Sequence, residues 1–255
     1  MTALRIAQLY PDLLGVTGDR GNVDVLASRA TRAGRDVEVH RVGIGEGLPA
    51  DVDIVVIGNG PLSALRVVGD DLRGRRSFLS DLLAAGGVLF AVGGGAELLS
   101  QGVDLHDGSA LDGLGLLPVR VARVRTRKVG YIVADTPDGR LVGFEDHASE
   151  WTIGATAPDD AVYGTVVAGS GSGSAGQGAR FEGIRVGGLY ASNVQGPALP
   201  LNPQWADVLL VHACGRRGAD YVPAPENALT DGFAASARAE IERRATTTHF
   251  TAIEL

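Results

Sequence analysis

The segment Val88–Leu99, VLFAVGGGAELL, runs an apolar stretch into three consecutive glycines and then into a helix-like sequence. A strand that turns sharply into a helix is the framework on which many hydrolases mount a nucleophile. The elbow residue is held in a strained conformation at the helix N-terminus, where backbone N–H groups stabilise a thiolate or an oxyanion. Glycines permit that backbone and let a substrate approach closely. Here the turn carries no nucleophile. Three glycines also suit a plain tight turn or a phosphate-binding turn. The segment lacks the Lys-Ser/Thr ending of a P-loop, however, and does not fit G-x-G-x-x-G.

Other groups with chemical capacity lie elsewhere. The single cysteine, Cys214, sits in VHACGRRG near the end of an expected helix. It reads as a small packing residue, because a reactive thiol favours a helix N-terminus or an adjacent imidazolium. His212, two residues away, points to a different helix face. His147 follows Phe144-Glu145-Asp146 and reads either as a cleft residue or as a histidine satisfied within a turn. His40, His106 and His249 show no ligand spacing and read as surface or turn residues; no metal site is expected. Arg123, Arg125 and Arg127 alternate, so one strand would display them on one face. Gly58, Asn59 and Gly60, within IGNGP, follow a strand end and either supply oxyanion-type N–H groups or form a plain turn. Asp19, Arg20, Gly21 and Asn22 precede a helix and read as its cap.

The elements that must position these groups follow from periodicity. Leu4–Tyr10, Val37–Val42, Asp53–Ile57 and Val88–Val92 read as buried strands, and Gly21–Gly34, Arg73–Ala85 and Ala96–Gln101 as helices. This alternation predicts an α/β fold with a doubly wound, mainly parallel sheet flanked by helices. From Arg120 the character changes: Arg120–Val133, Leu141–Phe144, Tyr163–Val167 and Ile184–Tyr190 predict an antiparallel extension. Residues 169–178, GSGSGSAGQG, read as an exposed, flexible loop within a single domain spanning 1–255. Trp205–Gly215 and Ala234–Arg244 read as helices, and 245–255 as a frayed tail.

The 255 residues suffice to bury a full core, and 45% hydrophobic with 21% charged residues is a globular composition. No apolar run reaches the roughly 18 residues of a membrane helix, so no membrane insertion is expected. A net charge of −7 argues against a duplex nucleic-acid partner. The lone cysteine and the absence of a recognisable secretory signal point to the cytoplasm.

Several segments, in order, resemble the class I glutamine amidotransferases, specifically the cobyric-acid-synthase-like branch and most closely its GatD subunits of lipid II isoglutaminyl synthase. They are LYPDLLGVTGDRGN (Leu9–Asn22), GGVLFAVGGGAELL, LDGLGLLPV (Leu111–Val119), TRKVGYIV (Thr126–Val133), GFEDH (Gly143–His147) and QGPALPLNPQWADVLL (Gln195–Leu210). The resemblance implies a class I amidotransferase fold, glutamine as ligand, no cofactor, and a Mur-ligase-like, ATP-using partner that amidates a cell-wall carboxylate. It also raises a second role for Asp19, Arg20, Gly21 and Asn22, shaping the cleft or a partner surface.

The family elbow reads roughly Cys-Gly-Gly-Tyr-Gln-Leu-Leu. Aligned on the leucines, Gly93 stands at the cysteine, Gly94 and Gly95 retain the glycines, and Ala96 and Glu97 replace Tyr and Gln; a slip of one residue would put Val92 at the cysteine. Glu97 would set a negative charge beside any thiolate formed there. The family histidine before Gly-Pro is Gln195, and a glutamine cannot accept a proton near neutral pH. Asp146, Ala148 and Ser149 depart from the family's Asn-His-Gly-Gly. Arg127 matches the arginine that the resemblance assigns to the glutamine carboxylate, for which a guanidinium fork is suited. With nucleophile and base gone together, the covalent route is closed. The expectation is a degenerate, non-hydrolytic binding or regulatory subunit whose substrate-binding residues are Gly58, Asn59, Gly60, Gly94, Arg127 and His147. Two rivals are a working subunit that supplies ammonia to an ATP-dependent ligase and a repurposed small-molecule binding module.

Overall fold

Strands buried on both faces divide their side chains between two cores, because successive residues point to opposite sides. The computed structural model, which describes residues 3–247 and 253–254, shows this division directly. In chain order the first half is β1 (Leu4–Leu9), α1 (Arg20–Arg32), β2 (Val37–Val42), β3 (Ile54–Ile57), α2 (Leu62–Gly74), α3 (Arg76–Ala84), β4 (Val88–Val92) and α4 (Gly94–Leu99). From β3, Ile54 and Val56 enter one core while Val55 and Ile57 enter the other; β4 divides Val88, Phe90 and Val92 from Leu89 and Ala91 in the same way. The first core packs against α1 and the second against α2, α3 and α4.

The second half comprises β5 (Gly102–Asp104), β6 (Ala110–Asp112), β7 (Val119–Thr136), β8 (Gly139–Ile153), β9 (Val162–Ala168), β10 (Gly173–Ser174), β11 (Arg180–Val186), β12 (Leu189–Ser192) and β13 (Val194–Gln195). It closes with α5 (Ala198–Leu201), α6 (Pro203–Gly215), α7 (Ala228–Ala245) and β14 (Ile253–Glu254). Strand order across the main sheet is β2-β1-β3-β4-β12-β11-β10-β8-β7-β5-β6. The strands from β2 to β12 are parallel to their neighbours, and β11 reverses direction against β12. The fold is thus a doubly wound α/β sheet carrying an antiparallel extension, whose spine is the long β7–β8 hairpin. On the α1 side, Trp205 of α6 meets Phe90 edge-on at 5.0 Å and stacks on Tyr163 of β9 at 5.4 Å, tying the extension to the parallel core.

Three expectations change. The expected helix Arg73–Ala85 starts later, as α3, and a further helix precedes it: α2, which begins after Pro61 and buries Leu65, Val68 and Leu72, is obscured in the sequence by its internal Gly69 and terminal Gly74. The run Ile184–Tyr190 is interrupted by a Gly187-Gly188 turn, so that its last residues join β12 beside β4 rather than prolonging β11. Segment 169–178 is partly built in: Gly171, Ser172 and Gly173 are buried, and Gly173 pairs with both Phe181 and Trp151. Buried carboxylates, described below, hold this stretch in place. The expected tail begins where α7 ends at Ala245; the backbone of β14 pairs with Thr126 and Arg127, whereas His249 lies outside the described residues.

Candidate functional site

The floor of the site is the β4–α4 elbow. Gly93 has φ 51° and ψ −120°, a conformation that side chains rarely adopt, and it is the positive-φ residue at this junction. The strained residue at this turn is therefore Gly93 and not Val92. A Cβ built on Gly93 would lie 2.5 Å from Asn59 Oδ1 and 2.7 Å from Asn59 Cγ. The Asn59 carboxamide thus fills the space above the elbow, and its oxygen accepts the Gly94 N–H at 2.8 Å.

The loop after β3 is fixed from behind. The Asn59 N–H donates to Asp19 Oδ2 at 3.0 Å, the Thr17 hydroxyl donates to the same oxygen at 2.9 Å, and the Val16 N–H donates to the Asn59 carbonyl at 3.3 Å. Gly58 has no room for a side chain, since a Cβ there would collide with the Leu14 carbonyl and with Asp19. Of the two roles left open for Asp19, the helix cap is not observed: its side chain makes no capping bond to α1. It shapes the cleft loop instead. Burial pushes its carboxyl pKa up, and the bonds from Asn59 and Thr17 pull it back. The N–H groups of Asn59 and Gly94 are both engaged within the protein, so neither faces a ligand as an oxyanion donor.

The wall is β7 with β8. Their register shifts between Arg123 and Lys128, and this irregularity separates the three alternating arginines. Arg123 turns onto the buried Glu97 of α4, with Nη2 to Oε2 at 2.7 Å and Nε at 2.8 Å. The negative charge that Glu97 places beside the elbow is therefore offset by Arg123. Arg127 donates from Nε to Asp146 Oδ1 at 2.5 Å and from Nη2 to the Asp146 carbonyl at 3.3 Å. Arg125 is exposed and does not line the cleft.

Gln195 is buried, and its Nε2 donates to the same Asp146 carbonyl at 2.9 Å. His147 is also buried. Its Nδ1 lies 3.2 Å from the Ser149 hydroxyl, and its Nε2 makes no hydrogen bond. Burial, reinforced by Lys128, Arg127 and Arg123, pushes its pKa down to about 3, so the ring is neutral near neutral pH.

Behind the wall, Glu182 is fully buried. It accepts the hydroxyls of Ser172 and Ser192 and the Asn193 N–H at 2.7–2.8 Å, and burial pushes its carboxyl pKa up against these bonds. Glu145 accepts the N–H groups of Ser170 and Gly171. These two carboxylates anchor the glycine/serine segment. The Ser192 carbonyl also accepts the Gly93 N–H at 2.8 Å, so one knot positions both the elbow and the strand that carries Gln195.

Floor and wall enclose a cleft of about 590 Å³. It brings together Gly93, Gly94, Asn59, Gly60, Arg127, His147 and Gln195, whereas Gly58 lies behind the loop. Cys214 is buried on α6 in the core on the α1 side, outside the cleft, and burial raises its thiol pKa; His212 is also outside the cleft. His106 is exposed at the rim, and His40 lies on the edge strand β2. Thr17, Glu97 and Arg123 also line the cleft. The sequence signalled Arg123 by its alternation and Glu97 by its place after the elbow, but not their pairing, because the Glu97–Arg123 pair spans two elements. Among the described residues, no three His, Cys, Asp or Glu side chains gather as metal ligands, and no helix is long and apolar enough to cross a membrane.

The comparisons agree with this geometry. The chain is 30% identical over 225 residues to the Staphylococcus aureus (strain N315) lipid II isoglutaminyl synthase subunit GatD, covering 88% of this chain and 89% of that one. The Streptococcus pneumoniae (strain ATCC BAA-255 / R6) GatD subunit is 28% identical over 237 residues, with 91% and 89% covered. Among solved structures, a glutamine amidotransferase from Thermotoga maritima superposes with a TM-score of 0.51 at 11% identity, covering 96% of this chain and 93% of that chain, which supports the fold alone. The model of the CobB/CobQ-like glutamine amidotransferase domain matches residues 5–196, and the chain belongs to that family.

Proposed function

We propose that this chain is a GatD-like subunit that has lost glutamine hydrolysis and acts as a binding or regulatory subunit beside a Mur-ligase-like partner in lipid II amidation in the cytoplasm. The observation that carries the reading is the elbow itself: its strained position holds Gly93, and Gln195, which the resemblance sets in the place of the family histidine, lines the same cleft. Covalent hydrolysis of a carboxamide needs a thiolate to form the acyl bond and a base to take and return its proton. Glycine offers no bond-forming atom. The Gln195 amide is committed as a donor to the Asp146 carbonyl and has no basic nitrogen. The retained cleft, with Arg127 and His147 on its wall, supports binding of glutamine or a related small molecule without turnover. The test is amidation of lipid II by the chain reconstituted with a Mur-ligase-like partner. Ammonium should support product formation with ATP, and glutamine as sole nitrogen source should not; amidation driven by glutamine alone would refute the reading.

A further inference from the structure

Resting on that reading of the cleft, we infer that Asn59 is a specificity-determining residue: its carboxamide is a built-in occupant of the elbow that keeps the carboxamide of an amino-acid ligand out. Three observations converge. First, Asn59 Oδ1 takes the Gly94 N–H at 2.8 Å, and in elbow hydrolases the N–H following the elbow residue is the one that receives a substrate's carbonyl oxygen. Secondly, the same oxygen and Cγ stand 2.5 and 2.7 Å from where a Cβ of residue 93 would lie, so the amide fills the space directly over the elbow. Thirdly, the Asn59 main chain is held on both sides, its N–H by Asp19 and its carbonyl by the Val16 N–H, and Asp19 is itself buried. The occupant is tethered and loses little freedom on staying in place, whereas a free ligand must surrender its own to displace it.

A glutamine-like ligand is thereby confined to the outer cleft near Arg127, Asp146 and His147, with its carboxamide excluded from the floor. The chemistry that enters is that of the α-amino-acid end, and the side-chain amide contributes nothing. Removing the Asn59 side chain frees both the Gly94 N–H and the space above Gly93, and the gain belongs to ligands that carry a carboxamide.

The experiment is calorimetric titration of L-glutamine and of L-norvaline, which lacks the carboxamide, into the wild type, Asn59→Gly, Asn59→Ala and Asn59→Asp, with ammonia measured in the same samples. Asn59→Gly and Asn59→Ala should bind glutamine about tenfold tighter than the wild type, the worth of one freed hydrogen bond, with norvaline unchanged. Asn59→Asp keeps an oxygen on the Gly94 N–H and should show no gain. Circular dichroism confirms the fold of each, and the alanine variant serves if glycine unsettles the loop. An unchanged glutamine affinity, an equal gain for norvaline, or an equal gain in Asn59→Asp would overturn the inference. Ammonia released by the wild type would instead overturn the reading of the cleft on which the inference rests, so the two failures are separable.

Discussion

The floor and the wall of the cleft are built by different means. The floor is main chain: Gly93, Gly94 and the Gly58–Gly60 loop fix its shape, and the N–H groups of Asn59, Gly93 and Gly94 are satisfied within the protein. The wall is side chain: Arg123, Arg127, Asp146 and His147 project from β7 and β8, and their charges are balanced in pairs across elements. A glycine floor keeps its geometry without a side chain at the turn, because the conformation needs only a strand, a turn and a helix. A wall of paired charges depends on each partner. The floor is thus set by backbone geometry and the wall by paired side chains.

The largest effect should come from the wall. Arg123→Ala leaves the Glu97 carboxylate buried without its cation and should cost about 3 kcal/mol, read as a lower urea midpoint with an unchanged slope. Replacing both partners together, Arg123→Met with Glu97→Leu, should recover most of that loss. If Arg123→Ala is neutral, the wall is not held by its charges and the contrast with the floor fails.

The floor should respond next. Gly93→Cys with Gln195→His should destabilise by roughly 1–3 kcal/mol, because a side chain at φ 51° is strained and its Cβ meets the Asn59 amide. It should show little glutamine hydrolysis and little reaction with iodoacetamide. Adding Asn59→Gly should raise thiol reactivity more than adding Glu97→Gln, since the Glu97 charge is already met by Arg123. A double variant that reaches the rate of an intact family member would mean that those two positions are the whole lesion.

His147 gives a smaller, pH-dependent effect. Its folded pKa of about 3 lies below the ordinary 6.5, so on acidification the unfolded chain takes up the proton first. The stability its neutral ring contributes is full above pH 6.5 and falls as the pH drops towards 3. Between pH 6.5 and about 5 the loss should reach about 2 kcal/mol. Asp19 and Glu182, whose carboxyl pKa values are raised, act in the opposite sense, so the readout is the difference between wild type and His147→Gln in urea unfolding at both pH values. Identical slopes would show that the imidazole is not buried neutral. Smallest is Arg127→Ala: its pair with Asp146 is about one-third exposed and should change stability by less than about 1 kcal/mol.

How far the sequence reaches follows the same division. The elbow, the parallel strands and the helix α6 were legible because they rest on short-range patterns: apolar runs, glycines at the turn, and a proline at the helix start. The position of Gly93 became definite only from its φ, which the string GGG does not encode. The three arginines were legible as one face of a strand, but the register shift between Arg123 and Lys128 sends them to different neighbours. Such a slip depends on β8, not on β7 alone. The Gly/Ser segment looked like a free loop because the carboxylates that hold it, Glu145 and Glu182, lie on other strands. The Asn59 occupant was invisible for the same reason: nothing in IGNGP says that its carboxamide meets an N–H across the cleft floor.

The most direct test of the central claim is ammonia release from L-glutamine by the purified chain, alone and with a Mur-ligase-like partner, in a preparation checked for contaminating glutaminase. If Gly93 and Gln195 stand where the nucleophile and base would act, as proposed, the chain should release no ammonia above the protein-free blank in either case. Steady release proportional to chain concentration would contradict it.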